Sequence, residues 1–166
     1  MENDAQKVQQ LPTHGEQWDV RFLEMAKLVS SWSKDPSTQA GAVIVRQDRS
    51  VASVGFNGFA RLMSDAPELY ADRPKKYSRI IHCEVNAMIH SKESLVGCTL
   101  YTYPFACCDR CVVQMIQAGI CRFVFPVPTA DALTRWSAAF FLTKQYINEA
   151  RLLYKEVNLE NHSTEL

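Results

Sequence analysis

The stretch Pro104–Cys111, with the sequence PFACCDRC, holds three of the six cysteines of this 166-residue chain. Cys108 and Cys111 have the spacing Cys-x-x-Cys, which at a helix start places two sulfurs one turn apart, near the positive end of the helix dipole. That environment favours thiolates, the form of cysteine that binds metal ions. A lone Cys-x-x-Cys is weak evidence of a site, so its meaning depends on residues elsewhere in the chain.

A histidine and a glutamate far upstream, in the motif HCE, supply the rest of a metal centre. His82 with Cys108 and Cys111 gives three protein ligands, as in a catalytic zinc site, whereas a structural zinc normally has four. Glu84 follows His82 by two residues, so it can stand beside a metal-bound water without ligating the metal. Zinc lowers the pKa of such a water to about 7, and a nearby carboxylate can accept its proton. These residues therefore predict a hydrolytic Zn²⁺ centre.

The composition indicates an ordinary globular domain without a large charge excess. Basic and acidic residues number 18 each, which disfavours a polymeric nucleic-acid partner, because such a partner usually requires a basic excess. No window is apolar enough to span a membrane, and the N-terminus lacks the apolar core of a signal peptide, so a cytoplasmic protein with no membrane contact is predicted. In that compartment, clustered cysteines bind metal or catalyse more often than they form disulfides.

Helices and strands alternate in the order α-β-β-α-β-α-β-α-β, as indicated by apolar periodicity, β-branched runs and turn residues. This order predicts an α/β fold in which helices cover both faces of a central mixed sheet of about five strands. Residues 16–158 are predicted to form one domain, between a mobile tail (1–15) and a polar tail (159–166). Residues 58–79 have the composition of a long irregular loop. The predicted helices begin near residues 18, 82, 108 and 130, and the predicted strands cover 40–45, 51–56, 98–103, 120–125 and 151–157.

Five blocks of the sequence resemble, in order, blocks of the cytidine and deoxycytidylate deaminase family. They are SKDPSTQAGAVIV, GFNGF, HCEVNAM, GCTLYTYPF and CDRCVVQMIQAGI, and the resemblance runs from about Trp18 to Ala150. HCE followed by CCDRC also resembles the signature H-x-E and P-C-x-x-C of zinc deaminases. The resemblance implies the three-layer α/β/α fold of the cytidine deaminases.

The resemblance also implies a reaction and a role for each residue of the metal centre. His82, Cys108 and Cys111 would bind Zn²⁺, and Glu84 would shuttle protons while zinc-bound hydroxide attacks C4 of a cytosine ring. The implied substrate is a free pyrimidine nucleotide, first of all dCMP, which becomes dUMP with release of ammonia. Cytidine, deoxycytidine, CMP, dCTP or a modified base are alternatives, and a non-catalytic zinc-stabilised domain is an alternative of another class. The family also implies a homo-oligomer, either a dimer or a hexamer.

Further positions are candidates for contacts with the substrate. Asn57, in the stretch GFNG, resembles an asparagine that hydrogen-bonds the sugar in the family, and the backbone around Ala106 and Cys107 is expected at the pyrimidine. Arg73 and Lys75 belong to a basic cluster that directly precedes the HCE motif. Arginine and lysine are natural partners of a phosphate, so these two are predicted to bind the nucleotide phosphate. A solvated basic loop is the alternative.

The adjacent cysteines leave a question of register. The family usually has proline before the first zinc cysteine, where this chain has Cys107. Cys107 and Cys111 could in principle form the ligand pair with the spacing x-x-x. Cys108 with Cys111 is preferred, because the one-turn spacing and the alignment with the family agree.

Several other side chains are expected to have no part in the site. His14 and His162 lie in the terminal segments and are expected in solvent. Trp136 and the pair Phe140–Phe141 recur at helical spacing, which favours a position in the core or at a subunit interface.

Overall fold

The computed structural model describes residues 13–162 and contains the predicted α/β architecture. Elements are numbered in chain order. The helices are α1 Glu16–Ser30, α2 Pro67–Ala71, α3 Arg73–Arg79, α4 Cys83–His90, α5 Asp109–Gln117 and α6 Ala130–Glu149, with a final 3₁₀ turn at Leu159–His162. The strands are β1 Gly41–Val45, β2 Val51–Phe56, β3 Gly58–Phe59, β4 Ile80–Ile81, β5 Thr99–Tyr103, β6 Arg122–Pro126 and β7 Leu153–Val157.

Five strands form one mixed sheet in the order β2-β1-β5-β6-β7, which confirms the predicted sheet. β1 is antiparallel to both β2 and β5, and β5, β6 and β7 are parallel to one another. A short turn is enough to join β1 to β2, whereas parallel neighbours need a crossover. Helices α5 and α6 supply the two crossovers.

The two faces of this sheet pack against different helices, which gives the three layers. Successive side chains of a strand point to opposite faces, and β1 is buried throughout. Ala42 and Ile44 join the core under α4, α5 and α6, while Val43 and Val45 join the core under α1. The apolar run in β1 therefore reflects burial on both faces of the sheet.

The segment from residue 58 to residue 81 is more regular than the sequence predicts. Strands β3 and β4 pair as a small second sheet, and helices α2 and α3 lie between them. Pro67 occupies the first turn of α2, and Asp72 caps α3 by accepting a hydrogen bond from the backbone N–H of Lys75. Proline in a first turn and aspartate at an N-cap are both helix-start signals. The prediction of an irregular loop was wrong, because helices of five and seven residues are too short to show a periodicity.

The chain packs against the fold already before α1 begins, contrary to the expectation for His14. Its side chain is 6% exposed, with Nδ1 2.8 Å from the hydroxyl oxygen of Tyr101 and Nε2 2.9 Å from the carbonyl oxygen of Arg46. Residues 1–12 and 163–166 and the side chain of His162 lie outside the described residues, so the two tails and the domain limits stay predictions. No helix in the described part is both long and apolar enough to cross a membrane.

Candidate active site

Close packing of α4 on β2 positions His82 and Glu84. Gly55 of β2 faces the helix so closely that an added Cβ would collide with the backbone of Cys83 and Ala87. Beside it, Ser53 Oγ donates a hydrogen bond of 2.6 Å to the carbonyl of Ala87. These contacts fix the start of α4 on the end of β2, and His82 is the N-cap residue of that helix.

Cys108 and Cys111 reach the same place from the start of α5. Cys108 is the N-cap residue of α5, and Cys111 lies in its first turn. Nδ1 of His82 lies 3.5 Å from Cys108 Sγ and 3.4 Å from Cys111 Sγ. With Zn–S near 2.3 Å and Zn–N near 2.0 Å, neighbouring ligands of a tetrahedral zinc are about 3.5–3.8 Å apart.

Because the observed separations approach that range, the nitrogen and two sulfurs fit Zn²⁺. All three donor atoms lie within 4.8 Å of one another, in the one such group found among residues 13–162. Three protein donors leave the fourth position of a tetrahedral zinc to water or substrate. The site is therefore of the open, catalytic kind.

Hydrogen bonds within the cluster shift the pKa values of its residues in ways that bear on metal binding. The contacts with Cys111 and His82 lower the pKa of the Cys108 thiol, although burial opposes this. The hydrogen bond to Cys108 and burial raise the pKa of Cys111, and the bond to Cys108 raises the pKa of His82. The hydrogen bonds to Cys108 thus favour a thiolate at this position. Metal binding requires that form, because cysteine binds a metal ion as the thiolate.

Glu84 is buried beside the cluster and its carboxylate is only partly engaged. The residue is 5% exposed, and Oε2 has no hydrogen-bond partner in the part of the chain that the structure describes. Burial raises the pKa of this carboxyl group. An unpartnered carboxyl oxygen with a raised pKa is suited to proton transfer near neutral pH.

A cavity of about 180 Å³ opens onto the metal cluster and Glu84. Its walls are the 35–40 loop, Asn57 at the end of β2, helix α3, the first residues of α4, the loop before α5 and the first half of α6. Both polar and apolar side chains line it, as is usual for a site that binds a small molecule.

The structure brings three of the five predicted substrate residues to this cavity. Asn57, Ala106 and Arg73 line it. Cys107 does not: its side chain is 2% exposed in the core, and its carbonyl oxygen accepts a hydrogen bond from Thr143. Lys75 does not either, since its ammonium group is paired with Asp72 at 2.9 Å on the surface.

Other residues line the cavity without having been singled out from the sequence. Lys76 follows Arg73 by three residues on α3, a spacing that places both on one side of a helix. Arg135 and Trp136 come from α6, where Trp136 was expected in the core or at a subunit interface. The indole N–H of Trp136 is buried without an acceptor among the described residues. Helical spacing identified the buried face of α6 but not the cavity that this face borders.

Solved structures with the same fold include a dCMP deaminase from the cyanophage S-TIM5. Its complex with dCMP and dUMP superposes with a TM-score of 0.66 over 87% of this chain and 100% of that chain, at 18% sequence identity. At this level of identity the likeness establishes the fold alone.

Comparison of sequences identifies the family. The model described as the cytidine and deoxycytidylate deaminase zinc-binding region matches residues 16–127. An uncharacterized deaminase from the luxG 3' region of Aliivibrio fischeri is 41% identical over 80% of this chain and 88% of its own length. A probable deoxycytidylate deaminase of Caenorhabditis elegans is 35% identical over 82% and 68%, and human deoxycytidylate deaminase is 34% identical over 66% and 64%. The chain belongs to the cytidine and deoxycytidylate deaminase family.

Proposed function

We propose that the protein is a zinc-dependent hydrolase that deaminates a free cytosine nucleotide. The leading candidate substrate is dCMP, which is converted to dUMP and ammonia. The observation that carries the proposal is the unpartnered carboxylate of Glu84 beside the three-ligand cluster, inside a cavity. The substrate is supported by relatives that are named deoxycytidylate deaminases and by the related cyanophage enzyme, which was solved with dCMP and dUMP.

His82, Cys108 and Cys111 hold the zinc, and Glu84 moves the protons. Zinc, when bound, supplies the nucleophile by lowering the pKa of a coordinated water to about 7. Glu84 would accept one proton of the attacking water and deliver it to N3 of the ring as the C4–O bond forms. It would then take the proton of the hydroxyl group at C4 and pass it to the exocyclic amine, so that the C4=O bond forms as the C4–N bond breaks and ammonia leaves. The low exposure of Glu84 keeps bulk water from competing for these protons.

The remaining substrate contacts belong to Arg73, Asn57 and Ala106. Arg73 lines the cavity, and its guanidinium group has a ring contact with Tyr77 but no ion pair among the described residues, which suits it to the phosphate. Asn57 is assigned to the sugar, because its Oδ1 accepts one hydrogen bond, from Ala40, and has a second lone pair. Ala106 is assigned to the pyrimidine.

A different cytosine compound is the second candidate substrate, and one panel separates the candidates. The zinc-loaded protein is given cytidine, deoxycytidine, CMP, dCMP, dCTP and cytosine, and ammonia release is measured. We expect the highest kcat/KM for dCMP, and no turnover by Glu84→Ala, which should keep its zinc. A preference for another compound would reassign the substrate.

The non-catalytic alternative is opposed by the same carboxylate. A buried carboxyl oxygen without a partner lowers stability, and a purely structural zinc site has no use for it. Failure of the wild type to release ammonia from any compound of the panel would refute the enzymatic proposal and favour this alternative.

We also propose that the protein acts in the cytoplasm as a homo-oligomer, a dimer or a hexamer. The first point is supported by the six cysteines, all of which have free thiols. The second is supported by large apolar side chains on the surface, among them Phe141 of α6, which is 69% exposed. Light scattering of the zinc-loaded protein measures the number of subunits.

A further inference from the structure

Lys76 lines the substrate cavity, yet its ammonium group is paired with a buried carboxylate within the protein. Nζ lies 2.8 Å and 2.7 Å from the two carboxylate oxygens of Asp35 and 2.6 Å from Ser37 Oγ. The contacts with Asp35 Oδ1 and Ser37 Oγ are hydrogen bonds, and the second carboxylate oxygen completes a buried ion pair. The ammonium group is therefore directed at Asp35 and Ser37 and away from a substrate phosphate.

Asp35 connects Lys76 to the backbone of the loop that forms one wall of the cavity. Its side chain is 2% exposed, and besides the lysine it accepts hydrogen bonds from the backbone N–H groups of Ser37 at 2.9 Å and Thr38 at 3.2 Å. Ser37 and Thr38 both line the cavity. The carboxylate therefore fixes the backbone of the wall that the substrate would touch.

Asn57 holds the same loop from the side of the sheet. Its Oδ1 accepts a hydrogen bond of 2.7 Å from the N–H of Ala40, and its Nδ2 donates one of 2.9 Å to the carbonyl of Thr38. The 35–40 loop is thus attached to the end of β2 through Asn57 and to α3 through Lys76.

We propose that Lys76 is a positioning residue: paired with Asp35, it holds the 35–40 loop at the place that the substrate requires and does not contact the substrate itself. This inference rests on the proposed function, because it concerns the same cavity. It separates Lys76 from Arg73, which lines the same cavity and forms no ion pair within residues 13–162. Two neighbouring cations of one short helix thereby have different tasks.

The test is the effect of Lys76→Met on kcat and KM for dCMP in zinc-loaded protein. Methionine keeps an unbranched side chain but removes the ammonium group. We expect kcat to fall about tenfold and KM to change less than about twofold. A displaced 35–40 loop would misalign the bound substrate and so slow the chemical step more than it weakens binding. A rise in KM at unchanged kcat would indicate a phosphate contact and overturn the inference, as would wild-type values of both constants.

A matched control and a second variant keep the test decisive. Lys27 lies on α1, on the opposite face of the sheet, and is 52% exposed, so Lys27→Gln should keep wild-type kinetics. Lys76→Met alone leaves the buried carboxylate of Asp35 unpaired, which is strongly destabilising, whereas in Asp35→Asn/Lys76→Met both members of the pair are neutral. We expect the double variant to fold and to keep the loss in kcat, because the neutral pair no longer ties the loop to α3.

The outcomes also separate this inference from the proposed function. Wild-type kcat in the folded double variant would overturn the inference alone, since the wild type would still be a deaminase. Absence of dCMP turnover in the wild type itself would overturn the proposed substrate and the inference with it.

Discussion

The adjacent residues Cys107 and Cys108 differ in the surroundings of their thiol groups. Burial raises the pKa of the Cys107 thiol, while hydrogen bonds from Cys111 and His82 lower that of Cys108. We therefore expect Cys108→Ala to lose zinc and about a thousandfold or more in kcat/KM. Cys107→Ala should keep zinc and activity and lose about 1 kcal/mol of stability from a small cavity. Zinc content and ammonia release measure both effects, and the reverse result would put the ligand register one residue earlier.

Arg73 is predicted to recognise the phosphate and not the base. A hydrogen bond to a charged group contributes about 1.5–3 kcal/mol, so Arg73→Gln should raise KM for dCMP about tenfold or more. KM for deoxycytidine should stay within about twofold, since that compound has no phosphate. Equal effects on both compounds would contradict the assignment. Lys75→Gln tests the second predicted phosphate partner. A rise in KM for dCMP as large as that of Arg73→Gln would show that Lys75 also contacts the phosphate.

Residue spacing predicted the metal cluster but only part of the cavity. The cluster was predictable because two short motifs, His82-x-Glu84 and Cys108-x-x-Cys111, each lie at a predicted helix start and together resemble the signature of zinc deaminases. The task of Lys76 depends instead on Asp35, a residue 41 positions away in the sequence. No local pattern distinguishes a lysine that is paired with a buried carboxylate from one that is free to bind a phosphate.

At the scale of elements, the contact between β2 and α4 sets the position of His82 and Glu84. A Cβ at Gly55 would collide with the backbone of Cys83 and Ala87, which cannot yield as a flexible side chain does. We expect Gly55→Ala to displace the start of α4, to reduce stability by about 1–3 kcal/mol and to lower kcat at least about tenfold. Urea unfolding and dCMP kinetics measure the two losses.

Gly58 provides the matched control for this substitution. The nearest atom to its added Cβ is a side-chain carbon of Phe56 at 3.9 Å, which is ordinary contact. Gly58→Ala should therefore keep both stability and kcat close to wild type. Equal behaviour of the two variants would mean that the close approach at Gly55 does not position the site.

Elements were predictable where a pattern is long enough to be periodic. The 20-residue α6 and the β-branched strands β1 and β2 follow from the sequence alone. The segment 58–81 does not, because its short elements pair and stack with one another across intervals of ten residues or more. Phe59 of β3, for example, stacks on Tyr70 of α2 with ring centroids 4.1 Å apart.

At the scale of the whole molecule, a buried polar network joins the N-terminal part of the chain to strands β5 and β6, on the face of the sheet that α1 covers. Tyr101 donates a hydrogen bond of 2.8 Å to Asp19, and His14 lies 2.8 Å from the same hydroxyl group. Arg122 of β6 donates two bonds of 2.7 Å to the carboxylate of Asp19. The polar, aperiodic N-terminal sequence gives no sign of this network, because its partners come from three separate elements. The expectation of a solvated His14 failed for this reason.

The pair Asp19–Arg122 makes global stability depend on pH, and Asp19→Asn removes that dependence. Burial opposes ionisation of Asp19, but the bonds from Arg122 outweigh it and lower the pKa below its ordinary 3.8. A carboxyl group with a depressed folded-state pKa stabilises fully above its unfolded pKa, and this contribution is lost as pH falls through the folded value. At pH 7 the variant should be less stable by about 3–5 kcal/mol, because Arg122 is left buried without a counter-charge.

The difference in the free energy of unfolding between wild type and Asp19→Asn should thus be constant above about pH 5 and become smaller below about pH 4. Urea unfolding at a series of pH values measures it, and loss of zinc in acid cancels in the difference because both proteins have the same metal site. Asp131→Asn is the control, since Asp131 is 78% exposed and its ion pair with Arg135 is 3.6 Å long; it should change stability by less than about 1 kcal/mol. A difference that stays constant down to about pH 3 would mean that the Asp19 carboxylate is not what couples stability to pH.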